Sequence, residues 1–274
     1  MKWSLWSSQA LIIMKMELKR YILARRWIGV YLAAFAPVGL LLLNLVIIRY
    51  VAVGRRNVPS ISDFSEIYAF FYQTFALRLS IVFSCALVFS QLFRGEILEK
   101  TLHLYLLTPV RREVIAAGKY LAGVAAMSLL FATSTILTNV LIYMPSSSWM
   151  TFFLEGEGIS NLVRYVVVTV LACIAYGGIF MVAGLCFRNP IVPAVAVGVW
   201  EAFYFILPES LQKVTVMHYL QSLLPLIIDR GPFSVVIDPT GAVMSVVILL
   251  GAAVCLVWVS GRILCGTQVT YSSD

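Results

Sequence analysis

Long apolar stretches alternate with short polar ones along this chain. Six stretches are long enough to read as membrane crossings: Ile28–Ile48, Phe71–Phe93, Tyr120–Tyr143, Leu162–Phe187, Ile191–Leu207 and Gly241–Arg262. Roughly 20 apolar residues carry a helix across a bilayer. The alternation that marks a membrane β-barrel is absent. The pattern therefore predicts an all-α membrane protein, a polytopic bundle of six transmembrane helices over residues 28–262. Pro37 inside the first crossing is tolerable, because neighbouring helices in a bundle re-satisfy the freed backbone.

The connecting segments differ in kind. Residues 1–27 place Leu11, Met14, Leu18 and Tyr21 on one helical face and Lys15, Lys19 and Arg26 on another, which predicts an amphipathic interfacial helix with its basic face toward anionic lipid. A secretory signal carries its charges first and a small-residue cleavage site after, an order this segment lacks. Residues 49–66 and 144–161 read as polar loops. Residues 208–240 are too interrupted to cross and read as short helices on, or dipping into, the outer surface. Residues 263–274 are a short tail.

The segment from Arg94 to Lys119 is the most informative. Glu96, Glu99, Lys100, Arg111, Arg112, Glu113 and Lys119 make it too charged to cross a membrane, while its leucines make it too apolar for a solvated loop. Leu102, Tyr105 and Leu106 recur at helical spacing, so the segment reads as a short surface helix broken at Pro109. His103 lies on it with no second ligand nearby.

Composition supports the membrane reading. Apolar residues make up 61% of the 274 and charged residues 12%, against roughly 45–50% and about 25% in soluble domains. The net charge of +7 fits positive charge retained on the cytoplasmic side better than nucleic-acid binding. With the amino terminus inside, the inner segments hold Lys2, Lys15, Lys19, Arg20, Arg25, Arg26, Arg94, Lys100, Arg111, Arg112, Lys119, Arg188 and Arg262. The outer ones hold Arg49, Arg55, Arg56, Arg164, Lys213 and Arg230. That bias predicts both termini and the charged segment in the cytoplasm.

Two charges fall at membrane depth, Arg78 in the second crossing and Glu201 in the fifth. They read either as a pair or pathway within the bundle, since intramembrane ionisable groups are expensive and functional by default, or as side chains snorkelling from misplaced span edges. Asn44 and Asn139 pose a weaker form of the same question. Gly177, Gly178, Gly184 and Gly198 read as positions of close helix packing. The five cysteines have no ligand spacing and read as small packing residues. No metal-site, nucleophile-elbow or phosphate-loop pattern is present. The nearest to a phosphate loop, Gly118-Lys119, is followed by Tyr120 and has Glu113 where the first glycine is required.

Glu96, Thr101, Leu102, Leu106, Leu107, Pro109, Arg112, Gly118 and Lys119, in that order between two crossings, resemble the coupling region of the ABC-2-type transporter permeases. Lys100 stands where that pattern has a glycine. The amphipathic amino-terminal helix, the number of crossings and the short outer helices extend the resemblance along the chain. It implies a non-catalytic permease subunit of an ABC exporter, paired with a second copy of itself in the plasma or inner membrane and docked on two copies of a cytoplasmic ABC ATPase that holds the ATP and Mg. No cofactor is implied in this chain, and no nucleic-acid partner. The residues carrying the coupling would be Glu96, Glu99, Thr101, Leu102, Pro109, Arg111, Arg112 and Lys119, with residues 94–118 as the coupling helix. Two other readings stand beside it: an ion-coupled secondary transporter working through Arg78 and Glu201, and a membrane anchor or assembly factor.

Overall fold

A computed structural model describes residues 2–23, 27–51, 60–98, 110–146, 149–154, 156–187, 189, 191–203, 208–226 and 240–266. Among them there is no strand. The helices are α1 Lys2–Leu23, α2 Ile28–Val51, α3 Ile61–Phe71, a π-helical stretch Tyr72–Ile81, α4 Val82–Leu98, α5 Arg112–Tyr143, α6 Trp149–Leu154, α7 Gly158–Cys186, α8 Ile191–Ala202, α9 Glu209–Gln212, α10 Val216–Gln221 and α11 Ala242–Gly266. Among the described residues, five helices are long and apolar enough to cross a membrane: Ile28–Ile47, Ile61–Phe93, Arg112–Tyr143, Gly158–Cys186 and Ala242–Cys265.

The helices overrun the apolar runs that predict them. Ser60 starts α3 in a reciprocal cap: its backbone N–H donates to the Asp63 carboxylate at 2.8 Å while the Asp63 N–H donates to Ser60 Oγ at 3.3 Å. That capping box carries the helix back to residue 61, into the polar loop expected there. The charged segment is shortened from both sides. Its first residues belong to α4 and residues 112–119 to α5. Leu102, Tyr105 and Leu106, the expected surface helix, lie outside the described residues, as does the 263–274 tail beyond Gly266.

The fifth predicted crossing differs most. α8 has 12 residues and ends at Ala202. At 1.5 Å per residue it spans about 18 Å, short of a hydrocarbon core about 30 Å thick. Apolarity alone lets 191–207 read as a crossing, but the helix stops one residue past Glu201, whose carboxylate is bound by α10.

α1 runs lengthwise along the first half of α5, and α2 takes over along the rest. Arg111 meets Trp6, Gly118 meets Ala10 and Ile13, Lys119 meets Glu17, and Ser134 donates to the Ala34 carbonyl at 2.5 Å. α1 is therefore braced on protein by the face that carries Ala10, Ile13 and Glu17. Its apolar face is split: Met14 packs on the core, while Leu11, expected on the same face, is 50% exposed with Ile12 and Met16 beside it.

α7 is the centre, packed against α4, α5 and α11. Small residues set its spacing. The ring of Phe89 on α4 lies between Gly123 on α5 and Gly177 on α7, where an added Cβ would come within 2.8 and 2.7 Å of it. At Gly184 a Cβ would meet Ser90 Cα at 2.5 Å and its carbonyl oxygen at 2.6 Å. Backbone cannot rotate aside, so Gly184→Ala must push α4 from α7. We expect it to cost about 1–3 kcal/mol, read as a lower thermal midpoint in detergent. Gly178→Ala, whose added Cβ comes no closer than 3.3 Å to the Leu256 side chain and 3.6 Å to backbone at Ala253, should fall well below that. Gly198 touches Phe83 at no closer than 3.6 Å and sets no such spacing.

Candidate functional site

Among the described residues, two centres built on buried charges stand out in this apolar bundle. The first is at the end carrying the amino terminus. Gly118 has no side chain to hold α1 away, so the Ala10 carbonyl and Ile13 approach to 3.0 Å of where a Cβ would sit. That closeness brings Glu17 against Lys119. The ammonium lies 3.1 Å from Glu17 Oε1, and the two side chains are 1% and 3% exposed. Lys119 also donates to the Leu92 carbonyl at 3.4 Å and stands 5.4 Å from the centre of the Phe93 ring. α1, α4 and α5 thus meet at one buried ion pair.

About two turns before it, Arg112 donates through Nη1 to the Leu264 and Cys265 carbonyls, each at 3.0 Å. A guanidinium there satisfies carbonyls that have no partner within α11 and complements the negative end of its dipole. Arg111 is exposed, with its guanidinium 4.7 Å above the Trp6 ring. The basic residues that open α5 therefore tie it to α1, α4 and α11. Of the remaining coupling candidates, Glu96 lies on α4 with its side chain outside the described residues. Glu99, Thr101, Leu102 and Pro109 fall outside them altogether. Arg111 and Arg112 are brought together with Lys119 on one helix, but Lys119 faces the interior.

The second centre lies inside the bundle, between the π-helical stretch, α7, α8 and α10. Glu201 is 2% exposed. Its carboxylate accepts the Val216 N–H at 3.1 Å and the Met217 N–H at 3.3 Å. These are orphan donors of the first turn of α10, and a carboxylate is the natural acceptor for them. Thr215 caps the same turn by accepting from the His218 N–H at 3.4 Å. Arg78 and the Tyr176 hydroxyl lie within electrostatic reach of the Glu201 carboxylate. Arg78 is itself buried, at 9% exposure, so both charges sit in the interior and neither snorkels. Farther along α10, Gln221 donates to Gln73 Oε1 at 3.3 Å, and Gln73 donates to the Leu226 carbonyl at 3.3 Å. Gln73 and Arg78 both belong to the π-helical stretch, a backbone irregularity found mostly at functional sites.

Between this centre and the Ile61 end runs a set of satisfied hydroxyls. Tyr72 lies 2.7 Å from Thr169 Oγ1 and 2.9 Å from the Tyr165 carbonyl, and Thr135 lies 3.1 Å from Thr169. Asn139 is buried beside α3, whereas Asn44 is exposed. Glu17, Gln73 and Tyr176 were not legible as site residues. Glu17 had one signal, a lone acid among Lys15, Lys19 and Arg20. Gln73 had another, an amide five residues before an arginine in an apolar run. Tyr176 had none.

Among the described residues no group of His, Cys, Asp and Glu is placed to hold a metal ion. Cys85 and Cys173 are buried, and Cys186, Cys255 and Cys265 are exposed. No family model matches the chain, and no curated protein matches it by sequence.

Proposed function

We propose that this chain is the permease subunit of an ABC-2-type exporter, a non-catalytic membrane subunit that works as a homodimer on two copies of a separate ATPase. The observation that carries the reading is the bracing of α5 where the charged segment enters it. Through Arg111, Arg112 and Lys119 that entry point holds α1, α11 and α4. A displacement of segment 94–118 by a partner would be delivered to four helices as one body, which is what a rigid-body switch driven from a remote nucleotide site requires. In this reading Arg111, Glu96 and Glu99 face the ATPase, while Lys119 acts through the brace.

The finer topology belongs to the same proposal: both termini and the charged segment are cytoplasmic, α1 braces the bundle at the inner face, and α8 with the outer short helices completes a sixth crossing as a broken one. Broken crossings put helix termini at membrane depth. The buried Arg78–Glu201 centre favours the second reading, an ion-coupled secondary transporter. The anchor or assembly reading differs in predicting association without substrate-dependent ATP turnover.

The test is purification of the tagged full chain from its native membrane in mild detergent, with mass spectrometry of its partners. A stoichiometric soluble chain bearing a phosphate-binding loop, lost on Glu96→Ala with Arg111→Ala, is the expected result. A chain purified alone, with active transport in proteoliposomes lacking ATP, would overturn the permease reading in favour of ion coupling.

A further inference from the structure

At the joint where α1 hands over to α2, the packing against α5 leaves a cavity of about 210 Å³. Leu18, Trp27, Tyr31, Val88, Met127 and Leu130 are among the residues that line it. The hydroxyl of the one threonine on the wall, Thr133, donates to the Leu130 carbonyl at 2.7 Å, so it offers an incoming ligand no hydrogen. Apolar cavities of about 150 Å³ stay dry and take up hydrocarbon. Left empty, such walls lack dispersion partners on one side. The chemistry selects a hydrocarbon ligand.

The cavity is open on one side, and its lining includes Leu129, which is apolar and 67% exposed. In a chain whose long helices are membrane crossings, that opening meets bilayer hydrocarbon. A tethered acyl chain is then the occupant supplied at high concentration. Lys15 is exposed one turn before Leu18, and from Lys15 to Arg26 the sequence holds Lys15, Lys19, Arg20, Arg25 and Arg26 against the single acid Glu17. Glu17 is already bound to Lys119. The exposed ammonium of Lys15 next to this end of the cavity suits an anionic headgroup.

We infer that the α1–α2 joint binds one acyl chain of an anionic phospholipid, its tail between Trp27 and Met127 and its headgroup beside Lys15. The inference rests on the chain being membrane-embedded and is independent of the permease reading. Physically, the lipid would fill the joint between the braced α1 and the first crossing.

The test uses the purified full chain in nanodiscs containing phosphatidylglycerol with a mid-chain diazirine, and in parallel the same acyl chain on phosphatidylcholine, with crosslinks mapped by mass spectrometry. Labelling concentrated on the peptides carrying Trp27–Tyr31 and Ala126–Thr133, and stronger from phosphatidylglycerol, is expected. Ala126→Trp should fill the cavity and remove that labelling while the helical circular dichroism is unchanged. Lys15→Glu should lower the phosphatidylglycerol signal about tenfold. Labelling spread evenly over the exposed faces of α2, α7 and α11 would overturn the inference. So would equal labelling of the cavity from the two headgroups. The wild-type map decides the matter even if the filled variant fails to fold.

Discussion

Lys119→Ala should destabilise the folded chain by about 3–5 kcal/mol, because it removes one member of a buried ion pair. Both side chains are nearly inaccessible and the pair spans α1 and α5. Water cannot take over as the partner without α1 lifting from Gly118, and lifting exposes Ala10 and Ile13 as well. Glu17→Ala should act in the same direction, since it takes the carboxylate away from a buried ammonium. The double variant Lys119→Met with Glu17→Met should recover most of the loss, since two apolar side chains of similar volume remove both desolvation costs. Thermal unfolding in detergent, with the two singles and the double as a cycle, reads the coupling directly. Additive losses would mean the pair contributes nothing beyond its separate packing. The cycle also bears on function. If α1 is a brace that transmits force from the charged segment, the double variant should fold well, dock its ATPase normally and still transport.

The helical membrane class was legible because it follows from composition and run length alone, and five of the six expected crossings lie on long apolar helices. The edges were less legible, since hydropathy reports where hydrocarbon begins and a helix stops where its caps are. Ser60 and Asp63 carry α3 past the apolar run, and the basic opening turn of α5, tied to α1 and α11, does the same at Arg112. The fifth run stayed ambiguous, because apolarity does not distinguish a crossing from a half-length helix. What decides is Glu201, and its backbone partners lie 15 and 16 residues away. Lys119 read as a surface contact for a related reason. Its partner is 102 residues distant, and nothing local in Gly-Lys-Tyr announces burial. Arg78 and Glu201 were identifiable as a problem, since charges in apolar runs demand an explanation, but that a helix terminus shares the carboxylate is a tertiary fact. The segment that suggested the functional reading, from Glu99 to Pro109, lies outside the described residues.

Glu201→Leu should be the other large effect, at about 3–5 kcal/mol, for it removes the acceptor of two buried N–H groups and the carboxylate facing Arg78. The consequence is local before it is global. α10 is held at its first turn by Glu201 and at its last by Gln73 through Gln221, so losing one anchor should raise hydrogen exchange over residues 208–226 while α7 stays protected. Arg78→Leu added to Glu201→Leu should restore part of the stability, since the cation no longer sits opposite a missing charge. Glu201→Gln separates the two functional readings. It keeps a carbonyl oxygen for one N–H and roughly the same volume, and loses the proton-binding and cation-pairing capacity of the carboxylate. An ATP-driven permease that uses Glu201 only to anchor α10 should retain transport in proportion to the folded fraction. A carrier that couples transport to an ion at this carboxylate should lose transport in Glu201→Gln even where exchange over 208–226 matches the wild type. Transport and exchange measured on the same preparation therefore place Glu201 either in the scaffold or in the coupling step.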